Sequence, residues 1–166
     1  MSLDKFRYEN AVNVGPDRMF MPEYRKVEYI NNPTLTVHTA MLTILHNLLY
    51  YPHSVSWPVE RRIRGRKIEF GLADVKFLPY WKSDAAKRVT ASNPAIKLSV
   101  YEKPNGDMLV AVFNNSKKTE KFSLKVNGKV VAAEYYDPMT DKAQAWQDNK
   151  EYSLEKYLGA LLTVKR

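Results

Sequence analysis

The chain has 166 residues, a hydrophobic fraction of 45% and an aromatic fraction of 12%, which suit one folded domain and exclude a disordered or low-complexity chain. It contains no cysteine, which excludes disulfides, thiolate metal sites and cysteine nucleophiles and leaves the cellular compartment open. A formal net charge of +8 keeps polyanions among the partners to be considered.

The first 32 residues are polar and aromatic and lack a clear period. With Pro16 and Pro22 as helix breakers, they predict irregular structure with one helical turn over 23–29. The chain opens without an apolar leader and enters a charged, aromatic segment at once, so we expect a piece of a longer protein. Polar side chains interrupt the longest apolar stretch, over 41–49, and no membrane partner is expected.

A long buried helix is predicted over about 33–51. Asn32 suits the N-cap, Pro33 suits the first helical position and Pro52 marks the end. Between them, apolar side chains recur at intervals of three and four residues, which is typical of a helix with a broad apolar face. Such a helix needs a wide apolar surface, supplied either by the rest of this chain or by a parent domain.

The three histidines lie on or just after this helix, but their spacing does not suit a metal site. His38 and His46 are eight residues apart, no carboxylate occupies a supporting position, and His53 follows the helix. We therefore interpret them as structural side chains. The sequence also lacks a nucleophile-elbow motif and a glycine-rich phosphate loop, so we predict no metal and no cofactor.

The densest basic run is "RRIRGRK", residues 61–67. A nucleic-acid interface is one interpretation, but the neighbouring sequence has no helix-turn-helix spacing, no RNA-recognition aromatic motif and no zinc-ligand spacing. The favoured interpretation is a solvated face of a strand or loop, with Arg62, Arg64 and Arg66 on one side of an extended segment. Nucleic acid is accordingly not favoured as a partner.

From about Ala73 the hydrophobic period changes to two, which predicts β-strands. The strand-like segments are "ADVKFLPYW", "AIKLSVYEKPNGDMLVAVFNN", "KFSLKVNGKVVAAEYY", "EYSLEKY" and "LGALLTVKR", and in the third of them Phe122, Leu124 and Val126 alternate with polar side chains. Two of them contain an Asn-Gly hairpin signal, at 105–106 and at 127–128. The unbroken apolar run over 108–113 predicts a central strand.

Seven or eight short strands separated by turns indicate a small antiparallel β-sandwich. The predicted fold class is therefore α+β, mainly β. We expect a helical or irregular segment over 1–71, followed by a sandwich domain over 72–166.

The stretch "AEYYDPMTDKAQAW", residues 133–146, contains two strands around a turn. Asp137 and Pro138 suit the first two positions of a type I turn. Tyr136 and Trp146 flank this turn, and with Trp57 and Trp81 they are the candidate sugar-stacking residues. The alternation along "KAQAWQ" leaves no wider aromatic strip, so we expect scaffolding here and Trp146 in a core.

The series "FLPYW", "KLSVYEKPNGDMLVAVFNNSKKTEKFSLKVNG", "EYYDPMTDKA" and "LGALLTVKR" resembles the C-terminal β-domain that follows the catalytic barrel in bacterial glycoside-hydrolase-like proteins. It is similar in plan to the all-β domain that ends α-amylase-type enzymes. The resemblance covers about residues 72–166 and, more loosely, the preceding helix. It implies a parent catalytic domain as partner, with the reacting carboxylates on barrel strands before the final domain.

Glycoside hydrolysis requires two carboxyl groups about 5 to 10 Å apart. The acidic candidates before the β-region are Glu23, Glu28, Glu60 and Glu69, and none lies in a recognisable catalytic motif. We therefore assign no catalytic residue in this chain.

Three hypotheses remain. The first is a non-catalytic accessory region of a carbohydrate-active hydrolase, with the parent domain and an oligosaccharide or polysaccharide as partners; it predicts an uncovered apolar surface on the 33–52 helix. The second is a self-contained carbohydrate-binding module, which predicts coplanar exposed aromatic rings at Trp57, Trp81 or Trp146. The third is a nucleic-acid binder that uses residues 61–67, with strongly salt-dependent binding.

Overall fold

A computed structural model describes residues 2–10, 19–22 and 26–166, and it confirms the predicted α+β, mainly β, class. The helices are α1 (Leu3–Asn10), α2 (Pro33–His46), α3 (Trp57–Phe70) and α4 (Ser83–Ala86), and a single 3-10 turn covers Val27–Tyr29. The strands are β1 (Met19–Phe20), β2 (Leu49–Tyr50), β3 (Lys76–Leu78), β4 (Val89–Ala91), β5 (Ile96–Glu102), β6 (Met108–Asn114), β7 (Glu120–Val126), β8 (Ala132–Asp137), β9 (Lys142–Ala145), β10 (Glu151–Leu154) and β11 (Gly159–Lys165). No helix among these residues is both long and apolar enough to cross a membrane.

The sandwich consists of a six-stranded sheet in the order β3-β5-β6-β11-β8-β9 and a three-stranded sheet in the order β10-β7-β4. All of its strand pairs are antiparallel. β6 is central, as predicted, and every one of its residues is buried. Because side chains alternate along a strand, β6 contributes to two cores, one on each face of the large sheet.

The inter-sheet core lies between the two sheets and includes Val110 and Val112 of β6. The helix-side core lies on the opposite face of the large sheet, where Leu109, Ala111 and Phe113 of β6 share one cluster with buried side chains of α1, α2 and α3. The helical segment therefore packs on the sandwich itself, through a core that contains one face of the central strand β6.

Helix α2 begins as predicted and ends earlier than predicted. The Asn32 side-chain oxygen accepts a hydrogen bond from the Leu35 backbone N–H at 3.1 Å, and Pro33 is the first helical residue. The helix stops at His46 because Asn47 adopts the left-handed conformation, with φ 56°. The predicted end at residue 51 is therefore wrong, and 49–50 form β2 instead.

Every residue of α2 from Thr36 to His46 is buried except the half-buried His38. The uncovered apolar surface that the accessory hypothesis predicted on this helix is therefore not present there. The close approach of α2 to the sheet depends on Gly159 of β11. A Cβ atom at that position would lie 2.7 Å from the Val112 carbonyl oxygen and 2.8 Å from Cγ of Met41.

The basic run 61–67 lies in helix α3, so the predicted extended face with Arg62, Arg64 and Arg66 is wrong. Val59, Ile63 and Phe70 form the buried stripe of this helix, at helical spacing. The first segment also contains a helix, α1, that the sequence did not predict. Its Phe6 is fully buried and contacts the rings of Phe20 and His46.

One of the two predicted hairpins is confirmed. β5 and β6 pair through the turn at 105–106, but the hairpin predicted at 127–128 is wrong because β7 and β8 belong to different sheets. φ is positive at Gly106 (88°) and Gly128 (90°) but not at the preceding asparagines, so neither turn is type I′.

The "NNS" motif after β6 fixes a loop through Asn114, whose side chain is fully buried. Its amide nitrogen donates to the carbonyl oxygens of Lys118, Leu154 and Glu155 at 2.9 to 3.0 Å, and its oxygen accepts from the Ser116 N–H at 2.8 Å. The motif therefore provides hydrogen-bond partners for several backbone groups in the loops that lead into β7 and β11.

The first segment contains a parallel pair of strands. β1 and β2 pair in parallel, with Met19 opposite Leu49 and Phe20 opposite Tyr50, and α2 is the connection between them. The order is thus strand, helix, strand, helix, with α3 following β2.

Candidate functional site at the junction of α3 and the β8–β9 turn

The turn between β8 and β9 is organised by its own side chains. The Asp137 carboxylate accepts hydrogen bonds from the Met139 N–H at 2.9 Å and from the Thr140 hydroxyl at 2.7 Å. Asp141 closes the turn in the left-handed conformation, with φ 57°. The prediction that Asp137 and Pro138 form a turn device is confirmed.

Arg62 of α3 holds this turn from the helix side. Its Nε lies 3.2 Å from Oδ2 of Asp141, and its Nη1 donates to the carbonyl oxygens of Pro138 and Met139 at 3.4 and 3.5 Å. The second carboxylate oxygen of Asp141 accepts a hydrogen bond from the Tyr136 hydroxyl at 2.7 Å. One guanidinium therefore bridges helix α3 to the turn that joins the two strands of the hairpin.

Arg66, one helical turn further on, completes the junction. Its Cζ lies 4.2 Å from the centre of the Tyr136 ring, and its Nη1 pairs with Glu134 at 2.9 Å and with Glu69 at 3.5 Å. Burial is the largest cause, and together with the hydrogen bond to Asp141 and the charge of that carboxylate it raises the pKa of Tyr136 to about 12, against the partly opposing charges of the two arginines. The phenol therefore stays protonated and donates at neutral pH.

The junction brings together two features that the sequence analysis treated separately, the basic run 61–67 and the stretch 133–146. Sequence reasoning missed Arg62, Arg66, Glu134 and Asp141 as partners. The available signal was the four-residue spacing of the two arginines, which puts them on one face if the segment is helical. The arrangement holds α3 against the sandwich, and its carboxylates at Glu134 and Asp141 pair with the two arginines.

The predicted acidic candidates do not assemble into a catalytic pair in the described parts of the chain. Glu23 lies outside the described residues, and Glu28 is exposed and pairs with Lys26 at 3.8 Å. Glu60 is buried and Glu69 is exposed, and both lie on α3. Nine residues along a helix correspond to about 13 Å, which exceeds the spacing that flanks a glycosidic bond.

The four candidate sugar-stacking residues lie in different environments. Trp81 is half-buried and stacks on His46, with ring centres 5.6 Å apart. Tyr136 is only 4% exposed and belongs to the helix-side core. Trp146 is half-buried against the inter-sheet core, and its indole N–H donates to the Leu124 carbonyl at 3.3 Å. Trp57, the first residue of α3, is 46% exposed.

Tyr136 and Trp146 thus face opposite sides of the large sheet, so they do not share a binding plane. A carbohydrate role for the four residues stays a prediction, and Trp57 offers the largest open ring surface among them.

Two of the three histidines are satisfied structural side chains, as predicted. Nδ1 of His38 lies 2.9 Å from the Tyr157 carbonyl oxygen, and His46 contacts the Leu42 carbonyl oxygen at 2.8 Å and the Tyr80 hydroxyl at 3.3 Å. Burial lowers the pKa of both rings, which keeps them neutral. Across residues 2–10, 19–22 and 26–166, no three side chains are grouped so that they could hold a metal ion.

Comparison with known families identifies the segment that contains this junction. The family model described as Glycoside hydrolase 123, C-terminal domain, matches residues 60–165, well over half of the chain. The chain belongs to this family. The match to the glycoside hydrolase 123 C-terminal domain begins in α3 and extends through the whole sandwich, so both sides of the junction lie inside it.

Two solved structures share the fold. One is a GH27 β-L-arabinopyranosidase from Geobacillus stearothermophilus, with a TM-score of 0.51 and 8% identity over 81% of this chain and 31% of that one. The other is a Bacillus halodurans protein assigned as an α-N-acetylgalactosaminidase, with a TM-score of 0.52 and 10% identity over the same shares. The chain therefore spans about a third of the length of either relative. No curated protein matches the sequence.

Proposed function

We propose that residues 1–71 are the closing segment of the catalytic barrel of a glycoside hydrolase, and that residues 72–166 form a non-catalytic domain that holds this segment in place. The family match supports the association with a glycoside hydrolase. The geometry of β1, α2, β2 and α3 supports the accessory role.

The parallel pairing of β1 and β2 carries the proposal. Parallel strands joined by a helix belong to sheets that are covered on both faces and contain several strands. Here each strand has only two residues, and Met19 and Leu49 are each 54% exposed. In a barrel, further parallel strands would pair with the outer edges of β1 and β2, and the closed sheet would cover the side chains on its inner face.

Other exposed apolar side chains lie next to the same pair. Met21 follows β1, Tyr51 follows β2, and Val27 lies in the connection to α2; each is more than half exposed. Clusters of exposed apolar side chains of this kind mark surfaces that another protein segment covers. These exposed side chains support a covered surface at the strands that α2 connects, in place of the surface that was expected on α2 itself.

The position of Trp57 fits the same arrangement. It follows β2, at the edge where a parallel strand ends, and substrate sites of barrel enzymes lie at that edge. The loops after β1 and β2 are joined there by a hydrogen bond from the Asn31 N–H to the Ser54 carbonyl oxygen at 3.0 Å. Trp57 would then face the sugar substrate of the parent enzyme, while the reacting carboxylates come from the preceding barrel strands.

The test introduces lysine at Met19 and Leu49 together. In residues 1–166 alone, these exposed side chains have no partner to lose, so the melting temperature should stay within about 2 °C of the parent's. In the full-length gene product, two buried charges in the barrel should abolish soluble, active enzyme.

Val131→Lys is the matched control, because Val131 is 67% exposed but lies in the sandwich. This substitution should be tolerated both in residues 1–166 alone and in the full-length gene product. A full-length enzyme that keeps its glycosidase activity with lysine at both strand positions would contradict the barrel-closing role. Hydrolysis of aryl glycosides by residues 1–166 alone would contradict the non-catalytic role.

A further inference from the structure

An open groove of about 620 Å³ lies at the side of the sandwich, between the edge strands β9 and β10. This volume is within the range of about 300 to 1,000 Å³ that is typical of small-molecule sites. Tyr135, Tyr152 and Leu154 line its inner side, and Gln144, Lys150 and Ser153 lie on its polar side. The groove is separate from the junction at α3 and from the β1–β2 pair.

Tyr135 is the unusual residue of this groove. Its hydroxyl oxygen is fully buried, and no described residue forms a hydrogen bond with it. Its ring packs against that of Tyr152, with centres 4.4 Å apart. By contrast, the hydroxyl of Tyr152 accepts a hydrogen bond from the Gln147 N–H at 3.4 Å. A phenylalanine would fill the space of Tyr135 without leaving an unpaired polar atom, so packing alone does not account for the hydroxyl.

A polar bridge crosses the groove beside these rings. Nζ of Lys150 donates to Oε1 of Gln144 at 2.8 Å and lies 5.8 Å from the centre of the Tyr152 ring. Gln144 is directly opposite Tyr135 in the β8–β9 pairing, so the two side chains are on the same face of the sheet. The bridge is an exposed contact between long side chains, and such contacts open at little cost.

The charges around the groove indicate a neutral ligand. Carboxylates at Asp137, Asp141 and Glu151 are interspersed with the ammonium groups of Lys142 and Lys150. No single sign dominates, so neither a phosphate nor a free cation would be strongly attracted. The hydroxyl groups of a ligand can donate hydrogen bonds to the carboxylates and accept hydrogen bonds from the lysines. With a phenol, a hydroxyl group can be either the donor or the acceptor.

We propose that this groove binds a neutral sugar unit, with a sugar hydroxyl as the hydrogen-bond partner of Tyr135 once the Lys150–Gln144 bridge opens. This inference goes beyond the barrel-closing role and holds whether or not residues 1–71 complete a barrel. It would give the sandwich a sugar contact of its own, at a different place from the Trp57 edge.

The experiment compares residues 1–166 with the variant Tyr135→Phe. Amide chemical shifts are followed during titration with glucose, galactose, maltose, cellobiose and lactose, and with sodium phosphate as the anionic comparison. At least one sugar should give saturable shifts at Gln144 and Ser153. Tyr135→Phe should weaken this binding at least tenfold while its melting temperature stays equal to or above that of the parent.

Tyr101→Phe is the matched control. The Tyr101 hydroxyl donates to the Ile44 carbonyl oxygen at 2.6 Å in the helix-side core, so its loss should lower stability and leave sugar binding unchanged. The inference is overturned if none of the five sugars gives saturable shifts in the groove, if Tyr135→Phe binds as tightly as the parent, or if phosphate alone binds there.

Discussion

Replacement of Gly159 by alanine tests the contact between α2 and the sheet. The added Cβ would lie 2.7 Å from the Val112 carbonyl oxygen and within 3.0 Å of two Met41 side-chain atoms. Met41 is fully buried, so it can shift only by disturbing its neighbours, and the carbonyl belongs to the backbone of the central strand β6. The methyl group must therefore push the helix and the sheet apart, with an overpacking cost of up to about 3 kcal/mol.

Part of this cost is offset because alanine loses less backbone entropy on folding than glycine, by about 0.5 to 1 kcal/mol. The net loss should be about 2 kcal/mol, and for a chain of this size that corresponds to a fall of about 4 to 8 °C in melting temperature.

Urea denaturation followed by circular dichroism measures this free energy directly. Gly65→Ala is the matched control, because Gly65 lies in α3 and no atom lies within 4 Å of its added Cβ. That change should raise stability by about 0.5 to 1 kcal/mol, as expected for glycine in a helix interior. The reasoning would be refuted if Gly159→Ala were as stable as the parent protein.

Three further predictions follow from contacts described above. Asp141→Asn removes the charge that raises the pKa of Tyr136, so that pKa should fall below about 12 in an ultraviolet titration; an unchanged value would mean that burial alone sets it. Asn114→Ala leaves several buried carbonyl groups without a donor, and urea denaturation should show a loss of about 2 to 4 kcal/mol, whereas a loss below about 1 kcal/mol would contradict the loop-fixing role. Burial raises the pKa of Tyr80 to about 12, as it does that of Tyr136, so the folded protein retains protons that the unfolded chain releases above about pH 10. The stability that these groups contribute is complete below about pH 10 and should fall as the pH rises towards 12. A urea midpoint that stays flat between those two pH values would contradict the effect.

The sequence predicted the sandwich well because its signals are local. Alternation of apolar and polar side chains identified β5, β6 and β7, and the unbroken apolar run correctly put β6 in the centre. The two Asn-Gly turns show the limit of this approach. Their local chemistry is the same, but β8, the strand that follows Gly128, pairs with β9 and β11 and not with β7. Contacts with residues far along the chain determine this pairing.

Helix α3 was missed for a physical reason. In "RRIRGRK" the arginines alternate with other residues, which imitates the period of a strand, and Gly65 lowers helix propensity. The apolar stripe contains only Val59, Ile63 and Phe70. Arg62 is held by the β8–β9 turn, whose residues lie more than 70 positions later, so the sequence could not predict the junction.

The sharing of β6 between two cores has a consequence for synthesis. Helix α2 ends at His46, but the strands that cover it, β6 and β11, are completed only at Asn114 and Lys165. At about 5 to 20 residues per second, the apolar surface of α2 waits on the order of 10 s on the ribosome for its partners. A chaperone that binds exposed apolar helices would meet this surface during that interval. The synthesis of β11 therefore sets the time at which α2 becomes fully covered.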